Sequence, residues 1–256
     1  MDNVLLDIRD LHCFFGGLHA VNGVSLTIRR DTIQAVIGPN GAGKTTLFNL
    51  IAGTISPHKG DVFFKGRKIT RRKPHTIAGL GIARTFQTTR LFPEMTVLEN
   101  VMMGRHIRTR SGFLAGLLNL PYTWKEDRLA EEQSFLILTE LGLAGYALEI
   151  AANLSFGRQR MVEFARTLAM EPSLLLLDEP AAGLNIYETK ELADLILKIR
   201  RRGITCLIVE HDMSLVMNIS DSVAVLDQGQ KIAEGTPREI QRNPEVLRIY
   251  LGYDHA

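Results

Sequence analysis

A glycine-rich segment carries the clearest chemistry in this sequence. It reads Gly38-Pro39-Asn40-Gly41-Ala42-Gly43-Lys44-Thr45, and Thr46 follows. This is the pattern G-x-x-x-x-G-K-[ST], in which glycines let backbone N–H groups curl around phosphate oxygens. The lysine can reach the β- and γ-phosphates of a nucleoside triphosphate, and the Thr45 hydroxyl can bind Mg²⁺. An apolar segment at 32–37 and a helical pattern up to residue 51 supply the strand–loop–helix context that this motif requires.

A pair of acids follows a second apolar segment. Asp178 and Glu179 come directly after four leucines at 174–177. In open α/β sheets, ligands bind beyond the carboxyl ends of the strands. We expect Asp178 to help hold Mg²⁺ through water, and Glu179 to polarise an attacking water as a general base. Alone, such a pair would be read as a solvated strand end, but the phosphate loop upstream favours triphosphate hydrolysis.

The elements that must position these groups form an α/β pattern. Loose apolar–polar alternation predicts half-buried antiparallel strands at 4–8 and 24–28. Nearly continuous apolar runs predict buried strands of a mostly parallel sheet at 32–37, 174–177 and 204–209. Helical patterns cover 188–202, which Gly203 ends, and most of 99–143. We therefore expect an α/β P-loop NTPase core with an N-terminal antiparallel β subdomain and a helical subdomain inserted at about 90–152.

Composition excludes several classes of function. The 256 residues carry a net charge of only +2, so no strong field draws the chain to nucleic acid. The two cysteines, Cys13 and Cys206, are far apart, which argues against a disulfide or metal framework and favours a reducing compartment. We expect no signal peptide, and the most apolar stretch, 112–120, falls short of the ~20 residues of a spanning helix.

Further motifs follow in an order that resembles the ABC ATPase family over nearly the whole chain. Leu154-Ser155-Phe156-Gly157-Arg158 looks like the family signature, whose consensus is Leu-Ser-Gly-Gly-Gln, and a helical pattern at 160–170 follows it. The other matches are Gln87 in Arg84-Thr85-Phe86-Gln87 for the Q-loop, Ala181-Ala182-Gly183-Leu184-Asn185 for the D-loop, and His211 for the switch histidine. The phosphate loop is shared by many NTPases, whereas the signature separates ABC proteins from kinases and GTPases.

The resemblance implies a single ABC ATPase domain over 1–256 that works as a head-to-tail dimer. ATP would lie between the phosphate loop of one subunit and the signature of the other, where Ser155 and the Gly157 N–H contact the γ-phosphate. His211 would contact the γ-phosphate and hold the attacking water, and Gln87 would sense Mg²⁺ and that water. Phe15 matches the aromatic residue that stacks on adenine, with the adjacent Phe14 as the alternative.

Three residues depart from the family pattern. Phe156 replaces the first signature glycine, Arg158 replaces the glutamine, and Asn185 replaces the usual D-loop aspartate. Phenylalanine restricts the backbone more than glycine does. Whether the two ATP sites of a dimer are equally active, and whether the dimer is a homodimer or a heterodimer, therefore stays open.

Local features resemble the ATP-binding subunits of branched-chain amino-acid importers. They are Phe15-Gly16-Gly17-Leu18, Glu94-Met95-Thr96-Val97-Leu98-Glu99-Asn100, the insertion at 112–120, the segment 179–185, and the end from Asn243-Pro244-Glu245-Val246 to Tyr250-Leu251-Gly252. The resemblance implies a peripheral protein on the cytoplasmic face of the membrane, with two ATPases, two permeases and a periplasmic or extracellular solute-binding protein, and no nucleic acid. A urea or short-amide importer of the same branch is the main alternative. A soluble ABC protein of translation or repair, a non-ABC kinase and a regulatory ATPase are further ones.

Overall fold

The computed structural model describes residues 3–85, 91–105 and 121–251. The chain forms two compact units, of which the first comprises Met1–Arg84 with Ser173–Ala256 and the second Thr85–Pro172. The helical subdomain predicted at about 90–152 lies within the second unit, which also contains a further helix after residue 152. The insertion at 112–120 lies outside the described residues.

A six-stranded sheet forms the centre of the first unit. Its strands are β3 Ile33–Ile37, β6 Ile82–Arg84, β7 Leu174–Asp178, β8 Thr205–Val209, β9 Ser222–Asp227 and β10 Gln230–Gly235. Their order in the sheet is β10–β9–β3–β8–β7–β6, and all neighbours are parallel except the β9–β10 hairpin. Every residue of β3, β7 and β8 is buried, which is why their sequences are mostly apolar and do not alternate. The mostly parallel sheet predicted from those runs is confirmed.

A second, antiparallel sheet in the same unit consists of β1 Val4–Phe15, β2 Leu18–Arg29, β4 Lys59–Phe64 and β5 Arg67–Lys68. Their order in the sheet is β2–β1–β4–β5. The first two are longer than the predicted 4–8 and 24–28. The register between them shifts after Ile8, where Asp10 has a φ of +46°, and such a bulge interrupts the alternation that marks a strand in sequence.

Helices of the first unit flank the sheets. They are α1 Lys44–Ile51, α2 Pro74–Gly79, α6 Ile186–Arg201, α7 Met213–Ile219, α8 Pro237–Arg242 and α9 Pro244–Leu251. One apolar core packs α1, through Leu47 and Phe48, with residues of both sheets. A second core places Val216 of α7 and Ile240 of α8 with Ile37 of β3. Helix α1 is thereby held against the buried residues of both sheets through its core-facing side chains.

The second unit is helical. It contains α3 Val97–Arg105, α4 Pro121–Glu140 and α5 Phe156–Ala169, with short 3-10 turns at Ala144–Tyr146 and Ala151–Asn153. Its core is built by Val101, Leu138 and Val162, one from each helix. Helix α5 begins at Phe156, four residues before the predicted residue 160. Ser155, which has extended backbone angles, is its N-cap. In the described part of the chain, no helix is both long and apolar enough to span a membrane.

Candidate nucleotide-binding site

The phosphate loop connects the end of β3 to the start of α1. The residues between these elements are those that the motif predicts, namely Gly38, Pro39, Asn40, Gly41, Ala42 and Gly43. A Cβ atom on Gly38 would lie 2.0 Å from the carbonyl oxygen of Leu226, and one on Gly43 would lie 2.2 Å from that of Ala20. Gly43 also has a φ of +98°. Both positions therefore require glycine, and they let the loop turn tightly against the ends of neighbouring strands.

Lys44 folds back over the loop. Its Nζ donates to the carbonyl oxygens of Gly38 at 2.7 Å and Pro39 at 2.9 Å. The residue is only 6% exposed, and this burial lowers the pKa of the ammonium, while the charges of Glu179 and Asp178 oppose that shift. A phosphate would offer the ammonium charged acceptors in place of two carbonyls. Thr45 and Thr46 follow in the first turn of α1, Thr45 exposed and Thr46 half-buried.

Asp178, the last residue of β7, is a buried carboxylate held by an arginine that the sequence interpretation had not assigned to the site. Its Oδ2 accepts from Nη2 of Arg84 at 2.7 Å, and Nη1 of Arg84 donates to Asn49 Oδ1 at 2.6 Å. The side chains of Arg84 and Asp178 are 13% and 3% exposed. Arg84 thus joins the end of β6, the end of β7 and the second turn of α1.

The predicted general base and switch histidine are in contact. Nε2 of His211 lies 2.8 Å from Oε1 of Glu179, a distance at which the ring N–H donates to the carboxylate. Glu179 has a φ of +47°, which is uncommon for a residue with a side chain, and its N–H donates to Val209 O at 2.8 Å. The adjacent strands β7 and β8 bring these two residues together although 32 positions separate them.

A buried acid between these loops was also missed in the sequence. Glu210 follows β8, is 4% exposed, and accepts from the backbone N–H groups of Ala181, His211 and Asp212. The residue precedes the histidine that the motif identifies, but the motif itself gives no reason to single it out. A polar residue that follows a fully buried strand and precedes a functional one is the signal that could have found it.

The aromatic pair at the end of β1 divides into two environments. The ring of Phe14 packs on those of His19 and His58, at centroid distances of 4.4 and 5.0 Å. Phe15 is 50% exposed. Phe15 therefore has a ring face available for a base, whereas Phe14 belongs to an aromatic cluster.

The signature lies at the amino end of α5 in the second unit. Ser155 and Phe156 are exposed and Gly157 is half-buried. Nε2 of Gln159 donates to the carbonyl oxygen of Leu154 at 3.0 Å, which fixes the turn that precedes the helix. The guanidinium of Arg158 lies over the Tyr146 ring, 4.3 Å from its centroid. The substituted residue Arg158 is thus held by a cation–π contact.

Asn185, the substituted D-loop residue, caps α6. Its side chain accepts from the N–H groups of Tyr187 and Glu188, and the Glu188 carboxylate accepts from the Asn185 N–H at 2.9 Å. This is a complete capping box. Asparagine and aspartate are equivalent caps, so this replacement keeps the local structure. Gln87 lies outside the described residues.

Oxygen donors suited to Mg²⁺ are present beside the loop. Mg²⁺ prefers a few carboxylate or hydroxyl oxygens together with water and phosphate oxygens. Thr45 supplies a hydroxyl on the first turn of α1, and Asp178 supplies a carboxylate whose charge acts on the neighbouring Lys44. Among the described residues, no three His, Cys, Asp or Glu side chains are grouped so that they could hold a metal by themselves. The donor set therefore fits a metal that arrives with the phosphates.

Comparison with known proteins defines the class. A family model described as ABC transporter matches residues 21–182, and one described as branched-chain amino acid ATP-binding cassette transporter matches residues 230–256. Together with the phosphate loop, the acid pair and the two-unit fold, this match shows that the chain belongs to the ATP-binding cassette family of ABC transporters and is an ABC ATPase.

The chain is also similar to individual proteins of this family over nearly its whole length. The chain is 46% identical to the high-affinity branched-chain amino acid transport ATP-binding protein LivG of Salmonella typhimurium, over 98% of this chain and 99% of that protein. It is 44% identical to the corresponding protein BraF of Pseudomonas aeruginosa, over the same shares. The crystal structure of an ATP-binding cassette of an ABC transporter in its ADP conformation is 35% identical, with a TM-score of 0.85, and covers 97% of this chain and 99% of that one.

Proposed function

We propose that this chain is the ATP-hydrolysing subunit of an ABC importer for branched-chain amino acids. The hydrolytic part rests on one observation, the 2.8 Å contact between His211 Nε2 and Glu179 Oε1. The assignment of the solute rests on two relatives, LivG and BraF, which are named as branched-chain amino acid transport ATP-binding proteins.

Binding of ATP starts at the phosphate loop. Lys44 exchanges the carbonyl oxygens of Gly38 and Pro39 for phosphate oxygens, and the N–H groups at the start of α1 point at the same anion. Phe15 stacks on the adenine from the end of β1. Thr45, Asp178 and Gln87 would hold Mg²⁺, which neutralises phosphate charge when it is bound.

Hydrolysis uses the acid after β7. Glu179 accepts a proton from the attacking water. His211 holds the Glu179 carboxylate through its Nε2–H and can offer the same N–H to the γ-phosphate. A ring N–H at this place can stabilise charge on the phosphate while Glu179 accepts the proton.

The signature serves a second ATPase subunit. Ser155 and the Gly157 N–H lie at the amino end of α5, where a helix favours an anion, and Ser155 is exposed. We infer a dimer in which each signature closes over the ATP bound by the partner. The dimer works on the cytoplasmic face of the membrane with permease subunits, and a solute-binding protein delivers the amino acid to them.

Glu179→Gln tests the hydrolytic proposal. We expect kcat for ATP to fall by ~10²–10⁴, the usual contribution of a general base, with the Kd for ATP nearly unchanged. Size-exclusion chromatography should then show an ATP-dependent dimer. Glu191→Gln, an exposed glutamate on α6, is the matched control and should turn over normally. Wild-type turnover in Glu179→Gln would contradict the assignment.

The solute is tested separately in proteoliposomes that contain the chain with its permeases and binding protein. Leucine-loaded binding protein should stimulate ATP hydrolysis and drive leucine uptake. Stimulation by urea or a short amide, with none by leucine, would replace the proposed solute and leave the ATPase assignment intact.

A further inference from the structure

The carboxylate of Glu210 bridges two backbone segments. Oε1 accepts from the N–H of Ala181 at 2.7 Å. Oε2 accepts from the N–H of His211 at 2.9 Å and from that of Asp212 at 3.3 Å. Ala181 belongs to the turn after β7, whereas the other two residues begin the loop after β8. A single side chain therefore ties together the loops that carry the two partners of the catalytic contact.

The bridge lies just beyond the last bond between these two segments, which the Glu179 N–H donates to Val209 O at 2.8 Å. The last pair of the β7–β8 ladder is Asp178 with Val209, so the loops leave the sheet at the next residues. Glu179 has left-handed backbone angles there, and its carbonyl oxygen accepts from Ala182 N–H at 3.1 Å. Such a conformation persists only when surrounding contacts impose it. The bond from Ala181 to Glu210 is one of these contacts.

The bridge requires a carboxylate at position 210. A buried carboxylate needs several donors, and N–H groups bonded to an ionised acceptor form stronger bonds than those bonded to a neutral one. Both oxygens of Glu210 are used as acceptors. A glutamine has one acceptor oxygen, so its amide nitrogen would face an N–H group on one of the two loops.

We propose that Glu210 is a positioning residue that sets the distance between Glu179 and His211 by anchoring the backbone of both loops. This inference rests on the proposed function, because it assigns a role only if those two side chains act in hydrolysis. The Glu210 carboxylate accepts from backbone N–H groups of both loops, so the effect we propose passes through the backbone.

Glu210→Gln tests the inference. A misplacement of reacting groups by about 1 Å costs roughly 10²-fold in rate, so we expect kcat to fall ~10–100-fold. The KM and Kd for ATP should stay within about twofold, since the phosphate loop is untouched. In a His211→Ala background, Glu210→Gln should lower kcat by less than about twofold, because the imidazole that Glu210 positions is already absent. Wild-type kcat in Glu210→Gln, or full additivity with His211→Ala, would overturn the inference.

Two further measurements keep the outcomes separate. If wild type hydrolyses ATP and Glu179→Gln does not, the proposed function stands, and a normal Glu210→Gln overturns the positioning role alone. If Glu179→Gln is fully active, both fall. Should Glu210→Gln fail to fold, hydrogen exchange of wild type decides: the amides of Ala181 and His211 are expected to be protected, and rapid exchange at both would refute the bridge.

Discussion

Replacing Arg84 by methionine is expected to destabilise the protein strongly in the absence of nucleotide. The substitution removes the guanidinium that bonds Asp178 at 2.7 Å and Asn49 at 2.6 Å. Asp178, whose side chain is only 3% exposed, would then lose this partner. Removal of one member of a buried ion pair typically costs about 3–5 kcal/mol, because the remaining charge has lost the solvation of water.

This loss of free energy of unfolding can be measured as a decrease in the melting temperature, Tm. For a chain of this size 1 kcal/mol corresponds to about 2–4 °C, so the low end of the range, about 3 kcal/mol, lowers Tm by about 6–12 °C. Thermal unfolding followed by circular dichroism, without nucleotide, measures it. Adding Asp178→Asn to Arg84→Met should restore most of the loss, because a neutral amide needs no counter-ion.

A matched control is the more exposed pair of Arg200 and Asp221. Its Nη2–Oδ1 distance is also 2.7 Å, but the side chains are 37% and 33% exposed. A pair so accessible to water contributes about 0–1 kcal/mol, so Arg200→Met should shift Tm far less. Equal shifts for Arg84→Met and Arg200→Met, or no recovery in the double variant, would refute the reasoning that burial of Asp178 creates the requirement for Arg84.

Three other outcomes follow from local geometry. Gly38→Ala should abolish ATP binding in a fluorescent-nucleotide assay, since its Cβ would lie 2.0 Å from a carbonyl oxygen; normal affinity would contradict the tight loop. Burial raises the pKa of the Cys206 thiol to about 12 and also raises that of Cys13, so neither should react with Ellman's reagent at pH 8 until the protein is denatured. Bonds from the Thr96 N–H and hydroxyl hold the pKa of Glu99 below 4.5. Its contribution to stability is therefore complete above pH 4.5 and lost as pH falls through the lower folded-state pKa, and Glu99→Gln should flatten that part of an acid-unfolding curve.

The parts of the site that are made of consecutive residues could be predicted from the sequence. Consecutive residues make the phosphate loop, and full burial of β3, β7 and β8 leaves apolar runs that identify strands without any knowledge of their partners. The signature and D-loop motifs are likewise contiguous. Asn185 could be recognised as a departure, but only the structure shows that it keeps the helix cap, through the capping box that it forms with Glu188.

Hydrogen bonds between residues that are far apart in the chain could not be predicted from the sequence. Arg84 and Asp178 are 94 positions apart, and Glu210 and Ala181 are 29 apart. An arginine or a glutamate at a strand end looks like an ordinary solvated residue until its neighbour in the sheet is known. The different surroundings of Phe14 and Phe15 have the same origin, because His58, which packs on Phe14, comes from the segment before β4.

By itself, then, the sequence predicted the chemistry of this protein: a loop suited to phosphate, acids that follow a buried strand, and the strands and helices that present them. Those features depend on neighbouring residues and on burial, both of which leave local patterns. The tertiary structure decided which side chains bond these acids and their loops, namely Arg84 for Asp178 and Glu210 for the two loops that carry Glu179 and His211. These depend on the order of strands in the sheet, which brings remote segments within hydrogen-bond distance and which no local pattern specifies.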